Sequence, residues 1–383
     1  MPKVVKKPQA ASDLESAVVR LVGAGADVSR VDVARRLNLV PSTAGIYVDR
    51  LIGEGFLTES SGAAAAARLP GRPPVRLRLN PRAGRFVGVD FDARQILAQA
   101  VDFAQQPLAE AKRQIPARAS VERVLEIVVD AIDEVTGPRR SELLGIGLGV
   151  PGPVDPERGV SLRYSFLPNW RDVPIGPHVQ RRFGVPTFVE NNLRSMALAE
   201  LWTGAGRGLS NLVCLGVRSG IGSGIIVDGR LLGGAHNAGG EIGRWVYPGA
   251  KSQATGDRQT TIEDLASVSS LLSAADLPSV AELTAALQRR DRRVVALVRQ
   301  AAEVHGWIVH QLDCLFDPET IVVSGPLVEH EPYWSALADA AQACGGDSAK
   351  RSDTSILRPS KLGPFAGAIG AAALAFQHWK PRR

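Results

Sequence analysis

The stretch that most constrains this chain is Gly220–Arg244, reading GIGSGIIVDGRLLGGAHNAGGEIGR. Gly220, Gly222 and Gly224 bracket the start of the apolar run Ile225-Ile226-Val227, which demands burial as a strand, and Asp228-Gly229 reads as a tight hairpin turn. A second cluster, Gly239-Gly240, delivers Glu241 and Arg244 three residues apart, close to one helical turn. Glycine lets backbone approach a ligand closely, so two such clusters flanking one hairpin predict a pocket wall. A glycine-rich hairpin without a ligand is the plainer alternative.

With 383 residues the chain is too long for one small core and suits two or three domains. Its 45% apolar and 22% charged content is that of a soluble globular protein. No apolar run approaches the roughly 20 residues of a membrane span, and the lysine-bearing N-terminus MPKVVKKPQA lacks the apolar core of a secretory signal. Cys214, Cys314 and Cys344 are far apart and without CxxC spacing, which argues for a reducing compartment and against a disulfide frame. A cytoplasmic location is expected.

The charge is uneven. Residues 1–85 hold 14 Lys/Arg against 7 Asp/Glu, whereas the rest hold 31 against 32. A basic excess confined to the first fifth is the pattern of a nucleic-acid module attached to a neutral body; a solvated basic tail is the bland reading. These charges lie in a patterned segment. Ser12 and Glu15 fit a capping box, Leu14, Val18, Leu21 and Val22 follow at helical spacing, and Gly23/Gly25 end the helix. A second helix opens at Ser29 with Asp32 three residues on. Pro41 suits the first turn of a third, running to about Gly53 with Ala44, Val48, Leu51 and Ile52 inward. Two strands, Phe56–Glu59 and Val75–Leu79, complete a winged helix-turn-helix over residues 1–80.

In that motif the third helix enters the major groove, so Ser42, Thr43, Ile46 and Tyr47 are candidates to face bases of duplex DNA. Arg35, Arg36 and Arg50 are placed to neutralise phosphate. The wing loop, Ser60–Pro74, ends in Gly71-Arg72-Pro73; Arg72 is a candidate for a narrow minor groove, with a stiff linker as the alternative.

From Phe86 strands and helices alternate. Strands are expected at Phe86–Phe91, Ile96–Phe103, Leu144–Val150, Val185–Val189, Asn211–Val217 and Thr320–Ser324. Helices are expected at Val121–Thr136, Leu193–Trp202, Val280–Leu287, Arg293–Leu315 and about Phe365–Phe376. The fold class is α/β with two lobes and glycine turns at strand ends.

A winged helix ending in Gly-Arg-Pro, followed by PGPVD, VENN, GIGSG, AGGEIG and FDPETIVVSG, resembles the ROK family of repressors, open reading frames and sugar kinases, and most of all its xylose- and N-acetylglucosamine-type repressors. The resemblance implies an actin-like (ribonuclease H-like) two-lobed ATPase body over 86–383 with a sugar site in its cleft. The smaller lobe would take about 86–190 plus the C-terminal helix, and the larger about 191–360. Chains of this family that carry the DNA-binding module are mostly regulators of sugar use.

The departures from the kinases carry more information. Their first phosphate loop, Asp-x-Gly-Gly-Thr, is Asp90-Phe91-Asp92-Ala93-Arg94 here, without the glycine cradle and with an added repelling charge. Their second, Gly-Thr-Gly-Ile-Gly, is Arg218-Ser219-Gly220-Ile221-Gly222, where an arginine occupies space a nucleotide needs. The family's Glu-Asn-Asp, whose Asp is the base, is Glu190-Asn191-Asn192. An amide can hold a hydroxyl but cannot take its proton, a loss of roughly 10²–10⁴ in rate. The plainer reading of this triplet is a strand end whose Asn caps the next helix. The family's zinc ligands are also replaced, by Arg244 and by the thiol-free stretch 254–263, so no metal or cofactor is expected.

Asn191, Asn192, Glu241 and Glu263 match the family's sugar contacts, and Arg244 is positioned to pair with a glutamate or meet a charged substituent. The expectation is a repressor without enzymatic activity, a homodimer or homotetramer on an inverted-repeat operator, released by a sugar, amino sugar or sugar phosphate. An active sugar kinase with an added DNA-binding module and a DNA-binding regulator that has lost its sugar response are the competing readings.

Overall fold

The computed structural model describes residues 11–25, 28–61, 75–92, 94–164, 166–248, 260–344 and 356–381. The first segment folds as helices α1 (Ala11–Ala24), α2 (Arg30–Arg36) and α3 (Pro41–Gly53) with strands β1 (Val28–Ser29), β2 (Leu57–Ser61) and β3 (Val75–Leu79). The strands form an antiparallel sheet in the order β1-β3-β2, with Leu57 opposite Leu79. Ser29 and Asp32 form the expected capping box on α2, and Pro41 opens α3. Ser12 and Glu15 do not form one. The Glu15 carboxylate is buried and accepts a 2.7 Å hydrogen bond from Arg50, an ion pair that ties α1 to α3, and α1 runs through Gly23 to Ala24.

Two five-stranded sheets make the body. The first is built from β4 (Arg85–Phe91), β5 (Gln95–Asp102), β6 (Pro107–Gln114), β7 (Leu143–Val150) and, after the small antiparallel sheet β8 (Val154–Asp155), β9 (Val160–Arg163) and β10 (Arg171–Val173), from β11 (Thr187–Asn191). Its order is β11-β7-β4-β5-β6, with β11, β7 and β4 parallel. Helices α4 (Val121–Thr136) and α5 (Ile175–Phe183) pack in its outer core.

Helix α6 (Asn192–Trp202) leads to the second sheet, formed by β12 (Leu212–Val217), β13 (Ile221–Val227), β14 (Arg230–Leu231), β15 (Thr320–Ser324) and β16 (Leu357–Pro359) in the order β14-β13-β12-β15-β16. Asp228 and Gly229 both take positive φ, 51° and 71°, as the tight turn into β14 requires. Its outer face is covered by α7 (Ile262–Ala266), α8 (Val268–Ala275), α9 (Val280–Gln288), α10 (Arg292–Phe316) and α11 (Glu331–Cys344).

The last helix, α12 (Ala366–His378), returns to the first sheet. A β-carbon at Gly88 or Gly147 would collide with the carbonyl oxygens of Ala368 and Ala371, so α12 rests directly on the backbones of β4 and β7. Its opposite face crosses α6, where Gly370 abuts the carbonyl of Ser195. The N-terminal segment shares this core. Phe56 packs 5.4 Å from Phe103 and 4.6 Å from Trp379, and Gly23 lies against Trp202 and Phe376.

Two outcomes are expected. Gly370→Ala drives a methyl into the Ser195 carbonyl and costs at least about 2 kcal/mol in urea denaturation, because helix and sheet leave no room to yield. His305 is fully buried beneath α11, its Nδ1 3.1 Å from the Tyr333 hydroxyl, and burial pushes its pKa down to about 4. The neutral imidazole therefore stabilises the native state above the unfolded value near 6.5, and this contribution is lost as pH falls toward 4. Between pH 7 and 5 the wild type should lose about 2 kcal/mol more than His305→Asn, measured by denaturation at each pH.

Candidate functional site

Strands β4, β7 and β11 run parallel and end together, with Asp90 beside Gly149 and Asn191 beside Val150. Ligands in open α/β sheets sit outside such carboxyl ends. The β12–β13 turn, Arg218–Gly220, approaches this edge from the second sheet. Between them is a cavity of about 200 Å³ lined by Asn191, Asn192, Arg218, Gly220, Glu241 and Glu263, among others. Four of the five predicted sugar-binding residues are thus brought together. Arg244 is exposed at the end of a 3-10 turn (Ile242–Arg244) and does not line the cavity.

The glycines explain how the glutamates reach it. Glu263, in the short helix α7, accepts a 3.0 Å hydrogen bond from the Ile221 N–H; a β-carbon on Gly220 would come within 2.5 Å of its carboxylate oxygen. Gly240 takes φ 86° and abuts the Ser223 carbonyl, setting Glu241 at the start of its turn. Either position with a side chain would push a carboxylate out of the cleft.

Asn191 has a dual task. Its Oδ1 accepts from the N–H groups of Leu193 and Arg194, capping α6, while its Nδ2 donates to the Gly152 carbonyl at 3.0 Å. The cap and the pocket residue are one and the same, and the second amide hydrogen remains to serve a ligand. Asn192 donates to the Phe91 carbonyl at 3.4 Å. Behind them Arg194 is buried, paired with Glu190 at 2.5 Å and donating to the Asn237 carbonyl at 2.6 Å, which binds α6 to the loop that carries Glu241. The pair spans the end of β11 and the first turn of α6, so helical spacing gave no signal for it.

Across the cleft, the Arg218 guanidinium donates to the Asp90 carboxylate at 2.7 Å. Asp90 is fully buried and lies against Gly367 in the first turn of α12, whose dipole favours an anion. Burial pushes the Asp90 carboxyl upward and Arg218 opposes it. Burial likewise disfavours the charged guanidinium, but Asp90 and Asp92 more than offset this and raise it. The first phosphate-loop strand and the second phosphate-loop turn of the kinase pattern are therefore clasped to each other by a buried ion pair.

Sequence reasoning missed Arg163, Tyr164 and Phe166, which line the cavity from the end of β9 onward. The small sheet that carries them there has no strand pattern of its own to read.

In the N-terminal segment, Ser42 and Ile46 are exposed on α3, with Ile46 59% accessible, whereas Thr43 and Tyr47 are half-buried. Arg50 is engaged with Glu15 and Arg35 with Asp32, each at 2.7 Å. Arg36 is exposed and lines a second cavity, between this segment and the body. Arg72 and the stretch 254–259 lie outside the described residues. Among the described residues no group of three or more His, Cys, Asp or Glu could hold a metal, and no helix is long and apolar enough to cross a membrane.

Comparison with known proteins places this geometry. The xylose repressor of Caldicellulosiruptor bescii is 31% identical over 219 residues, 56% of this chain and 54% of that protein, so the match spans about half of the repressor's length. The xylose repressor of Bacillus subtilis is 25% identical over 92% of both chains. Among solved structures, a ROK family transcriptional regulator homologous to the Escherichia coli Mlc protein superposes with a TM-score of 0.76 at 23% identity, covering 97% of this chain and 96% of that one. A ROK glucokinase from Streptomyces griseus, solved with glucose and AMPPNP, gives 0.67 at 25% identity over 77% of this chain and all of its own. The ROK family profile matches residues 86–378. The chain belongs to the ROK family.

Proposed function

We propose that this protein is a sequence-specific DNA-binding repressor of sugar or amino-sugar utilisation genes, released from its operator by a sugar or sugar phosphate held in a kinase-like cleft that no longer transfers phosphate. The observation that carries the reading is the Arg218–Asp90 ion pair. Its guanidinium fills the place between the strand ends that the family's kinases keep open for nucleotide phosphates. The cavity of about 200 Å³ beside the pair is lined by groups suited to a monosaccharide. Asn192 stands where those kinases have their base, and an amide accepts no proton.

The rest of the cleft is equipped for hydroxyls. Glu241 and Glu263 offer acceptors, Asn191 and Asn192 offer amide donors, and Tyr164 and Phe166 supply an apolar wall. The three helices and antiparallel sheet of the N-terminal segment have the order of a winged helix-turn-helix, and α3 presents Ser42 and Ile46 outward, as a recognition helix would. Arg72 would add a minor-groove contact, and a homodimer would read an inverted repeat. Ligand must favour the DNA-free arrangement of the lobes for release to follow, since equal affinity for both shifts nothing.

In favour of the kinase reading stand the glucokinase relatives, among them that of Halalkalibacterium halodurans, 27% identical over 286 residues. ADP formation at ordinary turnover from ATP and a panel of hexoses would establish it in place of the repressor reading.

Two variants test the assignment. Glu241→Gln should bind operator DNA with unchanged affinity in a gel-shift titration but resist release by the effector sugar; normal release removes Glu241 from the site. Arg218→Met leaves Asp90 buried without a counter-charge and should cost about 3 kcal/mol in denaturation, most of which Asp90→Asn in the same chain recovers. Full stability of Arg218→Met would show that the clasp does not hold the lobes.

A further inference from the structure

We propose that the cavity between the N-terminal segment and the body is a second binding site, for a small phosphomonoester anion. The cavity measures about 590 Å³, within the range of small-molecule sites. Arg20 and Arg36 reach it from α1 and α2, and Arg207 from the loop that follows α6. Among the described residues no aspartate or glutamate lines it, and neither Arg36 nor Arg207 forms an ion pair. Trp202 and Leu209 give it an apolar wall.

Three guanidiniums converging on one solvent-filled space repel each other unless an anion joins them. Burial lowers the Arg20 pKa, Asp13 opposes the shift and Arg230 adds to it, while its Nη1 donates to the Gln377 carbonyl at 3.0 Å. An oxyanion with several acceptor oxygens satisfies planar arginine forks in pairs, which a monovalent or neutral ligand cannot do for three of them. The apolar wall beside them suits the carbon skeleton of a phosphorylated metabolite more than bare phosphate.

The site is separate from the cleft. Asn191 and Asn192 stand at the N-terminal end of α6, whereas Trp202 is its last residue. An anion held jointly by Arg20 and Arg36 of the N-terminal segment and Arg207 of the body would fix one arrangement of the two. Only the consequence for operator affinity rests on the repressor reading; binding itself does not.

The test is isothermal titration calorimetry of the full chain with inorganic phosphate, a hexose 6-phosphate and the unphosphorylated hexose. Inorganic phosphate should bind, and the double variant Arg36→Gln, Arg207→Gln should weaken it at least tenfold, while in that variant the hexose 6-phosphate should bind no more tightly than the unphosphorylated hexose. Both arginines are exposed, so circular dichroism should show the fold retained. Glu241→Gln, in the cleft and away from α6, should leave phosphate binding unchanged. The proposal is overturned if phosphate gives no heat, if the arginine variant binds phosphate like the wild type, or if Glu241→Gln abolishes the phosphate signal. Loss of duplex-DNA salt dependence in the arginine variant without any free-phosphate binding would assign the cluster to the DNA backbone instead, and would equally overturn it.

Discussion

The crossing of α6 and α12 is the constraint on which the rest of the molecule depends. Each helix belongs to a different sheet, and they meet with no side chain between them, Gly370 lying on the Ser195 carbonyl. On its other face α12 rests on β4 and β7 through Gly88 and Gly147, again backbone against backbone. Such contacts leave little slack, since a β-carbon at any of the three would overlap another residue's main chain. The lobes can pivot about this crossing far more readily than they can slide through it.

That placement explains the composition of α6. All of its residues but Leu193 are buried, so it has no apolar stripe and no solvent face. Its buried charged and hydroxyl side chains are accordingly paired. Arg194 meets Glu190 and the Asn237 carbonyl, Ser195 donates to the Asn191 carbonyl at 3.1 Å, and Glu200 accepts from Ser360 and from the Ala205 N–H. Burial raises the Glu200 carboxyl, and these two donors hold it back. A buried charge survives only with such partners, which is why a helix rich in them can form the seam between lobes.

Much of this was legible in the chain. The helix at Val121–Thr136 and the strand at Thr320–Ser324 fall where periodicity and caps put them. The glycines of Gly220–Arg244 announced close approach, and it is the Glu263 carboxylate and the Ser223 carbonyl that approach. Other features had no local signal. Strand β6, PLAEAKRQ, is an exposed edge without apolar alternation, and α5 carries Pro177 in its first turn. The strand expected at Val185–Val189 begins at Thr187 and runs on to Asn191, because pairing with β7 extends it to the pocket. Glu15 had the spacing of a capping residue, yet its partner is Arg50, 35 residues away. Long-range pairing of this kind overrides what spacing suggests, and it ties Arg50, one of the cations expected to meet phosphate, to α1.

The same helix that separates the lobes also joins the places where ligands would act. Over 11 residues α6 spans about 16 Å, from Asn191 and Asn192 at the cleft to Trp202 against Gly23 and Phe376. A helix transmits displacement without transmitting strain only if it moves as a body, and the pairing of its buried polar groups makes that the cheaper response. Coupling still requires two arrangements of the whole, each preferred by a different ligand. The Arg218–Asp90 clasp supplies a reason for the closed one, because opening would strip two buried charges of each other. A sugar that engages Glu241 and Glu263 on one side and the asparagines on the other would reinforce closure, and α6 would carry the resulting tilt to the base of the N-terminal segment.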